Sequence, residues 1–125
     1  MILMYHRIAS VPSDVYGMTV TPEQFRMHME VLRQHYIPLS LDELVDAARS
    51  GDIPETAVAI TFDDGYVDNL TTASPILVEA GLPATFFLTT EGLDQPTEYW
   101  WNVTERIFFS DRPIPSSLDL YGDRR

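Results

Sequence analysis

Residues 57–65, AVAITFDDG, constrain the fold of this chain more than any other stretch. Ala57-Val58-Ala59-Ile60-Thr61-Phe62 is a nearly unbroken apolar and β-branched run without the alternation of a half-exposed strand. Such a run reads as a strand covered on both faces in a parallel sheet. Parallel neighbours need crossover connections, and the sequence downstream supplies one. Pro75 is tolerated only in a first helical turn, which places a short helix from about Thr72 with Ile76, Leu77 and Ala80 inward and Gly81 as its stop. Pro83 then leads into a second strand, Ala84-Thr85-Phe86-Phe87-Leu88. The succession is a βαβ unit with a right-handed crossover, so the expected class is α/β. Antiparallel pairing of the two strands would point instead to a small α/β sandwich.

Upstream, Ile2-Leu3-Met4-Tyr5-His6 reads as a buried strand. An irregular stretch with Pro12, Ser13, Asp14 and Gly17 follows. Thr21 as N-cap, Pro22 at the first helical position and Gln24 completing a capping box then start a helix with Phe25, Met29 and Leu32 on one face. Ile37-Pro38 ends it after about Tyr36. A second capping box, Ser40 to Glu43, opens a helix with a stripe of Leu41, Leu44, Val45 and Ala48, stopped by Gly51. Beyond Thr90, EGLDQP reads as a loop and Tyr99 to Phe109 as an aromatic-rich helix. Residues 1–109 thus read as one domain's material and 110–125 as a loop or truncated tail.

With 125 residues, 45% of them hydrophobic, the chain can bury a core. Eight arginines and no lysine against 19 acidic residues leave a net charge of −11. A surface so negative repels phosphates, which argues against nucleic acid or anionic membrane as partner. The absence of cysteine removes disulfides, thiolate zinc sites and a Cys nucleophile together. Tyr5, His6 and Arg7 interrupt the N-terminal apolar run too early for a signal peptide, and no run approaches the ~20 apolar residues of a membrane span. The expectation is a soluble chain, cytoplasmic by default.

Ligand chemistry in parallel α/β sheets gathers at the carboxyl ends of strands, where Asp63, Asp64 and Gly65 stand. Two adjacent carboxylates repel, so protonation of one or a cation is needed. A hard or borderline metal ion would let one Asp bind while the other handles a proton. The simpler alternative is a loop start with one Asp as a helix cap. A phosphorelay receiver needs a Lys that this chain lacks, and a haloacid-dehalogenase-type phosphatase needs Asp-x-Asp and a basic residue.

ITFDDGY, followed from Asn69 by a run ending in PILVEAGLPATFFL, resembles the polysaccharide deacetylase family, carbohydrate esterase family 4. The upstream LMYHRI and TPEQFRMHMEVLRQHYIPLSLDEL are similar to the N-terminal half of many members, so the resemblance spans about residues 2–109. It implies the N-terminal half of an irregular (β/α) barrel and a metal-dependent hydrolase that removes acetyl groups from N-acetylated sugars. It also implies Asp63 as general base and Asp64 as ligand of a divalent metal, zinc first among the possible ions. An amide hydrolase needs a polarised carbonyl, a deprotonated water and a positive charge near the oxyanion, which that arrangement provides.

Members complete the metal site with His-[Ser/Thr]-x-x-His, which this chain does not contain. His28 and His35 are seven residues apart on one predicted helix, roughly 10 Å along its axis at 1.5 Å per residue. Ligand bonds of about 2 Å cannot span that separation, so both read as solvated helix-face residues. The expected chain is therefore the first half of a longer enzyme and inactive alone, with an uncovered sheet edge at Ala84–Leu88 that permits self-association. His6, at the end of the first strand, is a candidate second-sphere or substrate-contacting residue. Trp100 and Trp101 could stack on a sugar ring or serve as core, and Asp14 and Tyr16 stay open. The alternative function is a non-catalytic carbohydrate-binding or interaction module on a decayed deacetylase scaffold.

Overall fold

The computed structural model describes residues 1–90, 98–109 and 113. The elements run β1 (Ile2–Tyr5), β2 (Arg7–Ile8), β3 (Thr19–Val20), α1 (Pro22–His35), β4 (Ile37–Pro38), α2 (Leu41–Ser50), β5 (Ala57–Phe62), a π-helical turn (Asn69–Ala73), α3 (Ser74–Ala80), β6 (Thr85–Phe86) and α4 (Trp100–Phe108). They fall into two compact units, Met1–Leu93 and Asp94–Arg125. No described helix is long and apolar enough to cross a membrane.

All six residues of β5 are buried, and every strand that touches it runs parallel to it. β1 pairs along Ala59–Phe62, β4 at Ala57 and Val58, and β6 at Thr61 and Phe62. The N–H groups of Ala59 and Asp63 donate to the carbonyls of Met1 and Tyr5, whereas the carbonyls of Val58 and Phe62 accept from Leu39 and Phe87. Odd-numbered residues of β5 therefore bond toward β1 and even-numbered ones toward β4 and β6. Those two short strands lie one beyond the other along the same edge. The parallel β5–β6 pairing is the one expected of a βαβ unit.

Side chains of β5 alternate between two apolar layers. Val58, Ile60 and Phe62 join Phe25, Met29 and Leu32 of α1 and Ile76 and Leu77 of α3 in the main core. Ala57 and Ala59 pack on Leu44 of α2, with Leu39 and Leu41 at the margin. Small residues on that second face let α2 approach closely, which is why a run without alternation still has two differently sized faces. Tyr5, Phe25 and Phe62 interlock, with Tyr5 edge-on to Phe25 at 5.1 Å and stacked on Phe62 at 5.5 Å. Phe62 is stacked in turn on Phe86 at 4.7 Å.

Both capping boxes form as expected, Thr21 with Gln24 and Ser40 with Glu43. Gly51 ends α2 in the left-handed region at φ +81°. Several elements differ from the sequence expectation. β1 is buried on one face only, since Ile2 and Met4 are 55% and 59% exposed. Within the predicted stripe of α2 only Leu44 is buried, and Val45 and Ala48 face outward. The strand expected over Ala84–Leu88 is ordered into the sheet only at Thr85–Phe86, and Phe87 and Leu88 stay 50% and 64% exposed. β2 pairs with β3, and β4 forms at the Ile37–Pro38 helix stop; two-residue strands are too short to leave a periodic signal. The helix after Asp64 starts earlier than expected, through the π-helical turn. The EGLDQP loop lies outside the described residues, as does the 110–125 tail apart from Pro113. In the second unit, α4 occupies the span expected of the aromatic helix.

Two outcomes follow from these contacts. Phe25, fully buried at the centre of the aromatic cluster, is expected on replacement by alanine to cost about 3–5 kcal/mol of unfolding free energy in urea titration. The Ser40 backbone N–H and hydroxyl hold the Glu43 carboxyl below its ordinary value of 4.5. A lowered folded-state value means the cap's contribution is fully present above the unfolded value and is lost as pH falls through the folded one. The difference in thermal midpoint between the parent and Glu43→Gln should therefore be pH-independent near neutrality and change as pH drops below 4.5.

Candidate active site

The site is built where β5 runs out. The Asp63 N–H still donates to the Tyr5 carbonyl at 3.0 Å, extending the β1 ladder one residue past the strand. Asp64 and Gly65 then both adopt positive φ, +69° and +67°, and turn the chain off the sheet. Only Gly65 escapes the Cβ penalty of that region. Space is tight there as well, because a Cβ on Gly65 would lie 3.1 Å from Leu88 Cδ2, which would have to give by a few tenths of an ångström. Asp63 and Asp64 are both partly buried, and the Thr89 hydroxyl reaches the Asp64 carbonyl at 3.4 Å.

His6 arrives at the same level because β1 and β5 are parallel and pair Tyr5 with Phe62. Its Nδ1 lies 3.3 Å from Asp64 Oδ2, with the two side chains 26% and 23% exposed. The contact is close but not aligned as a hydrogen bond, and Nδ1 is itself buried without a hydrogen-bond partner among the described residues. It is an ion pair only when the imidazole is protonated.

Behind His6 lie two residues that sequence reasoning missed, Asp68 and Asn69, 7% and 3% exposed. Asp68 accepts the Ile8 N–H at 2.9 Å through Oδ1 and the Arg7 Nε–H at 3.1 Å through Oδ2. Asn69 Nδ2 donates to the His6 carbonyl at 2.8 Å. The Arg7 guanidinium also lies 4.8 Å from the centre of the Tyr66 ring. Their only trace in the sequence is a polar pair at the entrance of an otherwise apolar helix, the same trace an ordinary solvated cap leaves.

The remaining candidates separate from this cluster. Asp14 closes a turn, its carboxylate accepting the N–H groups of Met18 and Thr19 at 2.9 Å each, and Tyr16 beside it is exposed. His35 is exposed as expected. His28 is exposed too but is hydrogen-bonded through Nδ1 to the Tyr5 hydroxyl at 3.1 Å, so it is more than a solvated residue. Burial pushes the Tyr5 hydroxyl above its ordinary value of 10.0, which keeps it neutral in that bond. Trp100 belongs to the second unit, 68% exposed; there it meets Trp101 edge-on at 5.5 Å, while Tyr99 and Trp101 stack at 4.5 Å.

A catalytic zinc takes three protein ligands. Among the described residues no group of three His, Cys, Asp or Glu side chains is placed to hold a metal ion. Asp64 with His6 beside it falls short of that set, so the described residues do not by themselves fit a complete metal centre.

Comparison with known proteins identifies the fold to which these residues belong. Residues 50–111 match the polysaccharide deacetylase family model. The chain is 39% identical over 89 residues to YxkH of Bacillus subtilis (strain 168), covering 70% of this chain and 30% of that protein. It is 32% identical over 98 residues to the poly-β-1,6-N-acetyl-D-glucosamine N-deacetylase of Escherichia coli (strain K12), covering 77% of this chain and 15% of the enzyme. The solved structure of Streptococcus pyogenes deacetylase PplD in complex with acetate superposes with a TM-score of 0.64 at 30% identity, covering 74% of this chain and 42% of that one. The chain thus spans less than a third of the curated relatives it matches, and its fold is that of part of a deacetylase barrel.

The turn geometry carries its own test. Gly65→Ala forces a Cβ into the left-handed region and against Leu88. The expected loss is about 1–2 kcal/mol of stability from the backbone alone, read from denaturant unfolding. A loss within error of zero would show that the Asp64–Gly65 turn relaxes freely.

Proposed function

Because the chain belongs to the polysaccharide deacetylase family, we propose that its Asp63–Asp64 turn is the catalytic end of a carbohydrate de-N-acetylase. The observation that carries the reading is the pair of adjacent carboxylates just past a fully buried parallel strand, with His6 brought beside the second by strand register. The chemistry is hydrolysis of an acetamide on a sugar. Asp63 is the base: it removes a proton from a water as the oxygen attacks the acetyl carbonyl carbon. The proton Asp63 takes is the one the leaving nitrogen needs when the C–N bond breaks. Acetate and a free amino sugar are the products.

Asp64 plays a different part. Its Oδ2 stands 3.3 Å from His6 Nδ1, and we read it as a ligand or an orienting group rather than the base. A divalent ion, zinc by family precedent, is proposed as its charge partner, and because the described residues do not complete a ligand set no step is assigned to that ion. The proposed substrate class is N-acetylated glucosamine polymer, by analogy with the Escherichia coli relative. The exposed indole of Trp100 is the candidate sugar contact of the second unit.

The test uses protein produced from the complete gene, assayed for acetate release from N-acetylglucosamine oligomers. Asp63→Asn is expected to lower turnover by about 10²–10⁴-fold, the usual worth of a positioned general base. Zinc content is expected to fall in Asp64→Asn and to hold in Asp63→Asn. Acetate release undiminished in Asp63→Asn overturns the base assignment, and equal zinc content in the parent and both variants overturns the role of Asp64.

A further inference from the structure

We propose that Asn69 is a positioning residue of this site, its side-chain amide holding the His6 backbone so that the imidazole faces Asp64. The inference rests on reading the Asp63–Asp64 turn as the deacetylation site, and three observations carry it. His6 is the single residue between β1 and β2, and Asn69 Nδ2 donates to its carbonyl across 63 positions of sequence. Asp68 holds the next two residues through the Ile8 N–H and the Arg7 guanidinium. Two consecutive side chains thus hold the backbone that leaves His6, from its carbonyl to the Ile8 N–H.

The second observation is a cost. Asn69 is 3% exposed, and its Oδ1 is buried with no hydrogen-bond partner among the described residues. Reversing the amide would set Oδ1 against the His6 carbonyl, two acceptors face to face, so the observed orientation is the only one that satisfies that carbonyl. A buried amide that leaves one atom unpaired is a poor choice for packing, since an apolar residue of similar size would fill the space without the penalty. The bond to His6 is what the amide provides in return.

The third is the backbone that carries it. Asn69 opens the π-helical turn, and the Ser74 N–H reaches back to its carbonyl. Pro75 follows at once and has no N–H for the preceding turn. The wider turn absorbs that loss, and turns of this type gather at functional sites. Here it sets Asp68 and Asn69 side by side against the β1–β2 junction.

The experiment follows the histidine ring signals by NMR in protein with labelled histidine, alongside acetate release. Asn69→Leu is expected to leave the protein folded, to shift or double the His6 ring signals while those of His28 stay in place, and to lower kcat at least tenfold with KM within about twofold. Unchanged His6 signals in a folded Asn69→Leu protein overturn the proposal, as do equal shifts at His6 and His28, which would mark a general loosening. If Asn69→Leu does not fold, Asn69→Ser is read in the same way, because its hydroxyl is too short to span the distance to the carbonyl. A parent without deacetylase activity whose His6 signals still respond to Asn69→Leu leaves the positioning intact and removes only the functional reading.

Discussion

Burial of β5 on both faces and pairing along both of its edges is the constraint on which the first unit depends. A six-residue strand with no exposed side chain needs two apolar layers and neighbours on either side, and each demand recruits a different part of the chain. Its larger even-numbered side chains draw α1 and α3 onto one face, and its alanines admit α2 on the other. Its backbone groups fix β1 in register on one edge and divide the other edge between β4 and β6. Register then decides which polar groups meet, because pairing Tyr5 with Phe62 brings His6 level with the turn at Asp63 and Asp64. A one-residue slip would flip the Leu3 and Tyr5 side chains out of the core and carry His6 away from the carboxylates.

Core and site are therefore continuous rather than merely adjacent. Tyr5 and Phe62, the last residues of the paired strands, are locked together with Phe25 in the aromatic cluster. The residues that follow them directly, His6 and Asp63, are polar and only partly buried. Packing fixes the strand ends to the tolerance of a close-packed interior, and the side chains of the candidate site inherit that placement without contributing to it. The buried Asp68 and Asn69 extend the same logic to the return segment, spending polar groups in the interior to fix the loop opposite the turn.

How far the sequence reveals this depends on the range of the interaction. Capping boxes, glycine stops and the β5 run are local patterns whose physics is complete within a few residues, and Thr21–Gln24, Ser40–Glu43, Gly51 and Ala57–Phe62 appear in the structure where those patterns put them. Asp63 and Asp64 are legible for the same reason, as acids following a strand. The two-residue strands β2, β3 and β4 are not, since their existence depends on partners far along the chain. Asp68 and Asn69 are illegible in a stronger sense: nothing near them in sequence distinguishes a clamp reaching 60 positions back from a solvated helix entrance. β1 is buried on one face only, and an apolar run does not reveal which of its faces finds a partner.

The two carboxylates differ in backbone conformation, and Asp64 is the strained one. Two consecutive residues with positive φ turn the chain off the sheet, and a glycine pair would do so at least steric cost. The second position is glycine, where a Cβ would crowd Leu88. The first is not, although nothing in backbone geometry favours a side chain there. Aspartate tolerates this region better than most residues, yet it still carries a penalty that glycine would avoid. Local strain at a residue whose carboxylate contacts a buried imidazole nitrogen is the pattern expected when position is held for chemistry rather than for packing. Asp63, in contrast, continues the strand's hydrogen bonding without strain. Backbone conformation thus distinguishes the two acids: Asp63 continues the β1 ladder and Asp64 turns the chain away from it.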